Sequence, residues 1–279
     1  MSVSPAQGTR YALRVVRPAG FVHSEAFAEV ADAIESALDE LGRRGPQGGD
    51  GVRDILLGWN LLRPDEVLPA DTILYNLEQV SPDSPWFPAG AFARLAGHEV
   101  WDYSATNVRA LAAQGIPARH VPVGYSPTWS RIERVAEDID VLFYGGMNER
   151  RWNVTEALEQ RGATVGVLTD CYGVERDGFI ARARIVLNMH YYEARNFETV
   201  RVAYLLANGR FVVSETGSDP ALEAPYAQGL AFAPYEQLVD TCMHYLHRRA
   251  ERRAIAQRGY DIIRARPMTA SLREVLAVA

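Results

Sequence analysis

Residues 183–215 read ARIVLNMHYYEARNFETVRVAYLLANGRFVVSE. Ile185, Val186 and Leu187 form a short apolar run closed by the polar Asn188, the pattern of a strand buried in a parallel sheet. Phe211, Val212 and Val213 form a second run, closed by Ser214 and Glu215. Between them Phe197, Val200, Ala203 with Tyr204, and Ala207 recur at helical spacing, and Gly209 stands where a helix stops. The stretch is therefore one βαβ unit. Its first strand runs out into Asn188, His190, Tyr191, Tyr192, Glu193, Arg195 and Asn196. Ligands of open α/β sheets bind outside the carboxyl ends of strands, where helix N-termini also point. This loop has the position and the chemistry of a ligand site.

The same alternation extends in both directions. Upstream, Val141–Tyr144 reads as a strand, followed by the loop GGMNERR and a helix through Trp152, Val154, Ala157 and Leu158. A strand over 164–168 and a helix near 175–183 follow. Downstream come a short strand at Leu230–Phe232 and helices over 235–247, 251–264 and after Pro267. The first half has strands at 11–16, 52–57, 72–77, 100–103 and 118–123. Its first helix has Ser24 as expected N-cap and Phe27, Val30, Ile34, Leu38 and Leu41 as its apolar face. A second helix is expected over 104–114. Strands alternating with helices predict parallel sheets. The expected organisation is two Rossmann-like halves, 1–128 and 129–279, with the hinge near 125–139 and the last helix able to pack back on the first half.

Composition narrows the partners. The chain has 279 residues and a formal net charge of −6, so a nucleic-acid footprint is not expected. No apolar run reaches the roughly 20 residues of a membrane span, and the N-terminus has no signal-peptide core, so a cytoplasmic location is expected. Cys171 and Cys242 have neither metal-ligand spacing nor a disulfide framework. All 29 basic residues are arginines. With no lysine, any phosphate must be held by arginine, a helix N-terminus or backbone amides.

Each candidate group has two readings. Gly145 and Gly146, with Asn148, Arg150 and Arg151 behind them, make either a tight βα turn or a loop that lets a phosphate approach the backbone. Glu198 and Arg201 share a helix face and form either a local ion pair or a ribose and diphosphate contact. His190 and Tyr191 close the central strand. In the first half, His23 lies in the first βα loop and Asp102 and Tyr103 close the fourth strand, while Glu78 follows the third. His23, then Asp102, are the candidate general bases, and Glu78 and Tyr103 the candidate acceptor contacts. Asp138 and Asp140 precede a strand and read as its solvated start.

The runs VLFYGGMNERR, ARIVLNMHYYEARNFETVRVAYLLANGRFVVSE and FAPYEQLVDTCMHYL resemble the C-terminal domain of bacterial group-1-type glycosyltransferases of the spore-maturation branch. GFVHSEAF, TILYNLEQV, VWDYSATN and HVPVGY resemble that branch's acceptor domain. The resemblance implies a GT-B fold, α/β with two facing Rossmann-like domains. It also implies a nucleotide-diphosphate sugar as co-substrate, no other cofactor and no obligatory metal, and it leaves a homodimer open. By position it matches Gly145, Gly146 and Asn148 to the glycine loop, Arg150 to the phosphate partner and Glu198 to the ribose contact. Many relatives carry a second glutamate where this chain has His190. That departure keeps two alternatives open: a non-catalytic nucleotide-sugar-binding partner subunit, or an epimerase or hydrolase of the same fold.

Overall fold

The computed structural model describes residues 8–80, 84, 87, 90–192 and 195–276. Glu193, which the sequence places in the polar loop, lies outside them. The chain divides into two units, Met1–Gly124 with Pro267–Ala279, and Tyr125–Arg266.

The first unit carries β1 (Arg10–Val15), α1 (Ala28–Glu40), β2 (Val52–Leu57), β3 (Ile73–Asn76), α2 (Ala91–Ala96), β4 (Glu99–Asp102), α3 (Ala105–Ala113) and β5 (Ala118–His120). Its strands are all parallel and lie side by side in chain order. All four residues of β3 are buried, which is why its sequence reads as apolar without alternation. α1 buries Val30, Ala33, Ile34, Ala37 and Leu38, the expected face. Its start differs from expectation. A 3-10 turn over Val22–Phe27 precedes it, and the Ser24 hydroxyl donates to the Phe21 carbonyl at 2.9 Å, so Ser24 does not cap α1. β5 ends before Pro122, which has no N–H to continue a ladder.

The second unit carries β6 (Ile139–Tyr144), α4 (Glu149–Gln160), β7 (Val165–Leu168), α5 (Gly173–Arg182), β8 (Ala183–Asn188), α6 (Thr199–Ala207), β9 (Val212–Glu215), α7 (Pro220–Glu223), β10 (Ala231–Ala233), α8 (Leu238–Leu246) and α9 (Arg249–Arg264). The last helix, α10 (Met268–Leu276), belongs to the first unit and packs on α1. The second sheet is parallel with order β10-β9-β8-β6-β7. Its chain goes from β6 out to the edge strand β7, then returns past β6 to the central β8. Val141, Phe143, Ile185, Leu187 and Val213 fill its core, each essentially inaccessible to solvent. Each such side chain contributes about 1.5–3 kcal/mol by leaving water.

The two sheets differ in one consequential way. A reversal of strand order opens a crevice at the carboxyl edge, because the two loops flanking it leave in opposite directions. The second sheet has one, between β6 and β8. The first sheet, running in chain order throughout, has none. Among the described residues no helix is long and apolar enough to cross a membrane.

Candidate functional site

β6 and β8 pair with Phe143 opposite Leu187, so Gly145–Asn148 and Met189–Tyr192 leave neighbouring strands at the same edge. Gly145 has φ 131°, in the region that favours glycine, and a Cβ there would meet Arg201 Nη2 at 2.8 Å. The guanidinium of α6 thus lies directly against the loop after β6. Arg201 Nη1 donates to Asn188 Oδ1 at 3.1 Å, and its charge faces the Tyr144 ring at 5.1 Å.

Asn148 is the N-cap of α4, its side chain accepting from Arg151 N at 3.0 Å and donating to the Tyr191 carbonyl at 3.2 Å. Arg151 is 3% exposed and bonds to backbone carbonyls, that of Gly146 at 2.6 Å and that of Met189. Burial pushes its guanidinium down to about 10, and nearby Arg201 adds to this. Its Nε has no hydrogen-bond partner among the described residues.

Asn188 holds the centre. Its amide donates to Glu198 Oε2 at 2.9 Å and to Ser214 Oγ at 3.0 Å. His190, wholly buried, meets the same carboxylate through Nδ1 at 3.0 Å. Burial opposes the charge on His190, but the hydrogen bond and charge of Glu198 outweigh it and raise the imidazole. The converse holds for Glu198, where burial is outweighed by His190 and the carboxyl is lowered. His190 Nε2 has no hydrogen-bond partner among the described residues. It points toward Gly217, where a Cβ would lie 3.4 Å from it and only 2.5 Å from the Arg195 carbonyl.

The structure therefore brings Gly145, Gly146, Asn148, Asn188, His190, Glu198 and Arg201 together. Tyr191 stands at their rim, 43% exposed. Arg150 needs correcting. Its fork grips Glu215 on β9, with Nη1 at 3.2 Å from Oε2 and Nη2 on Oε1, and it donates to the His190 carbonyl at 3.1 Å. Tyr235 stacks under it at 4.2 Å. A fork so engaged positions the loop rather than meeting a phosphate; Arg201 and Arg151 are the arginines on the glycine loop. Sequence reasoning missed Glu215 as part of the site. The available signal was a carboxylate ending a buried apolar strand at the ligand edge.

In the first unit, Asn76 and Asp102 are paired across β3 and β4. Asp102 is 0% exposed and accepts from Asn76 Nδ2 at 2.6 Å, Ser104 N at 2.8 Å and Asn107 Nδ2 at 3.0 Å. Burial pushes its carboxyl up to about 7, but enclosed and already holding three donors it is not open to an acceptor hydroxyl, which counts against it as a base. Tyr103 is buried too. Glu78 is different: its backbone joins this network, its carboxylate has no partner among the described residues, and burial pushes it up to about 7. His23 is exposed on the 3-10 turn after β1. Asp138 and Asp140 are ion-paired to Arg182 and Arg184.

The family model described as "Glycosyl transferase-like" matches residues 129–273, more than half of the chain. This chain belongs to the glycosyl transferase-like family. The match begins just before β6 and so takes in both loops of the crevice. Uncharacterized protein L140 of Acanthamoeba polyphaga mimivirus is 26% identical over 153 residues, 52% of this chain and 50% of that protein. The chain thus spans half the length of that curated relative. Among solved structures, Anabaena Alr3699/HepE in complex with UDP and glucose aligns over 98% of this chain and 100% of its own, with TM-score 0.63 and 9% identity. AviGT4, a glycosyltransferase involved in avilamycin A biosynthesis, aligns over 97% and 99%, with TM-score 0.58 and 17% identity. At these identities the likeness is one of fold. The two parallel five-stranded sheets of this glycosyl transferase-like chain are those of the GT-B architecture.

Proposed function

We propose that this chain is a cytoplasmic enzyme that moves a sugar from a nucleotide-diphosphate sugar to an acceptor hydroxyl. The observation that carries this reading is the crevice between β6 and β8, where Arg201 abuts the side-chain-free Gly145. A diphosphate there meets the Arg201 guanidinium, loop amides and the N-terminus of α4. These groups stabilise the charge that grows on the leaving diphosphate as the glycosidic bond breaks. Arginine does this without a metal. Glu198, held by Asn188 and His190 on one side, takes the ribose hydroxyls with its remaining lone pairs. Arg151 Nε and His190 Nε2, buried and unsatisfied among the described residues, are spare donors beside the same loops. On the acceptor side, His23 takes the hydroxyl proton and Glu78 binds the acceptor. The motifs also resemble those of the spore-maturation-like branch of bacterial enzymes.

A second reading, a donor-binding partner subunit that turns nothing over, is favoured by one observation. His190, at a position where many members of the family this sequence resembles carry glutamate, meets Glu198 at 3.1 Å and takes up part of its carboxylate. The deciding experiment is thermal denaturation with UDP, GDP, dTDP, CDP and ADP, each with and without magnesium. A ligand that binds the folded state raises its melting temperature by mass action. One nucleotide is expected to do so without magnesium in the wild type and not in Arg201→Ala. Stabilisation by none of them removes both readings. Binding of the donor with no turnover across an acceptor panel selects the partner subunit.

A further inference from the structure

A cavity of about 740 Å³ opens at the amino-terminal edge of the second sheet, where β8 and β9 begin, opposite the edge that carries the glycine loop. Six arginines line it, Arg134, Arg184, Arg210, Arg249, Arg252 and Arg253, against the single carboxylate of Glu137. This is a strongly cationic hollow in a chain whose net charge is −6.

The arginines are poorly compensated. Arg210 is 8% exposed and bonds to neutral groups: the carbonyls of Ala181 at 3.3 Å, Ile132 at 3.1 Å and Glu133 at 2.7 Å. Its Nε is buried with no partner among the described residues. Arg252, 5% exposed, donates to the carbonyls of Tyr245 at 2.6 Å and Leu246 at 2.7 Å, with Glu137 no nearer than 3.9 Å. Burial lowers both guanidinia, and neighbouring arginines lower them further. Arg184 is paired with Asp140. Arg134, Arg249 and Arg253 are in no ion pair among the described residues. Buried charge is ordinarily matched by a counter-charge, because taking it out of water unpaired is costly. Here the six cations meet Glu137 on the cavity wall and Asp140 on Arg184, with Asp177 acting on Arg210, so cations outnumber the carboxylates near them two to one.

We propose that this cavity is a second anion site, taking a small molecule that carries two or more phosphate groups. Planar guanidinium forks bind phosphate oxygens in pairs, and the volume falls in the range of small-ligand pockets. The site is separate from the glycine loop and does not depend on what binds there.

The test uses inorganic pyrophosphate as the probe, titrated calorimetrically into the whole chain. Arg201→Ala weakens the glycine loop, whose other anion partners are Arg151 and the loop amides, and the cavity variants on that background tell which site holds the binding that is left. Pyrophosphate is expected to bind this variant. Adding Arg134→Ala and Arg253→Ala, both exposed positions, is expected to weaken that binding about tenfold, two charge contacts being removed. Absence of binding to Arg201→Ala overturns the proposal, as does equal affinity in the triple variant. Should the triple variant fold poorly, Arg253→Gln alone on the Arg201→Ala background serves, with about a threefold loss expected and none overturning the proposal.

Discussion

His190 and Glu198, eight residues apart in sequence, meet through Nδ1 and a carboxylate oxygen at 3.1 Å. His190 is raised above its unfolded value, so its contribution to stability is complete below about pH 6.5 and is lost as pH climbs through the folded pKa. Glu198 is lowered, so its contribution is complete above about pH 4.3 and is lost as pH falls through its folded pKa. The pair therefore stabilises most between these limits. The melting temperature of the wild type should exceed that of His190→Gln by most near pH 5–6, and the gap should narrow by pH 9. Parallel curves across that range would show that the pair is not ionised.

Gly145 and Arg201 offer a double-mutant cycle. Gly145→Ala places a methyl 2.8 Å from Arg201 Nη2 on a backbone with φ 131°. Strain of this kind costs about 1–3 kcal/mol. Arg201→Ala should relieve the clash but leave the backbone strain. Urea denaturation should find the double variant more stable than the sum of the single losses by at least 0.5 kcal/mol, about the lower bound for coupled neighbours. Strict additivity would mean that the two groups do not touch.

Arg150 and Arg201 should separate stability from binding. Glu215 is 1% exposed, and removing Arg150 leaves it buried without its cation. Arg150→Ala should cost about 2–3 kcal/mol, just below the roughly 3–5 kcal/mol of a fully buried pair, because Arg150 is itself 38% exposed. At a temperature where that variant is folded, it should still respond to nucleotide. Arg201→Ala should do the opposite, with a small loss of stability and no response. Reversal of the two phenotypes would return Arg150 to the role of phosphate partner.

Glu78 should make the first unit less stable as pH rises. Its carboxyl sits at about 7 in the folded protein, against about 4.3 unfolded. Between those values the folded state holds a proton that the unfolded chain has released, so stability falls as pH climbs from about 4 to 7. Glu78→Gln should remove that slope, giving a melting-temperature difference over the wild type that grows across the interval and is level above it. A flat difference would mean that the carboxyl is not raised. Asp102→Asn should instead destabilise, because its new amide nitrogen would face either the Asn76 donor or those of Ser104 and Asn107, and least at high pH, where the buried Asp102 carboxyl, raised to about 7, is ionised.

Local order along the chain was readable because hydrophobic period encodes it. The 183–215 stretch resolves into β8, α6 and β9 as its apolar runs indicate. Gly145, Asn188 and Glu198 could be placed because each sits where a strand ends or a helix begins. The partner of Arg150 could not, since Glu215 lies 65 residues away and only strand order brings them together. Nor could the saturation of Asp102, whose three donors come from β3, the β4–α3 turn and α3. α2 escaped notice because its six residues are too few to show a period. A sequence shows which groups reach an edge of the sheet; topology decides which of them meet.

The placement of α10 bears on how the protein is made. Met268, Leu272 and Val275 are buried in the unit that otherwise ends at Gly124, and that helix packs on α1. Emerging from the ribosome, the first unit must wait for all of Tyr125–Arg266 before its core can close. At typical synthesis rates that is on the order of 10 s, long enough for the second unit to fold first. During that interval α1 carries an uncovered apolar flank. The flank open to capture by a chaperone is therefore that of α1, and the residues that end the exposure are made only after the whole second unit.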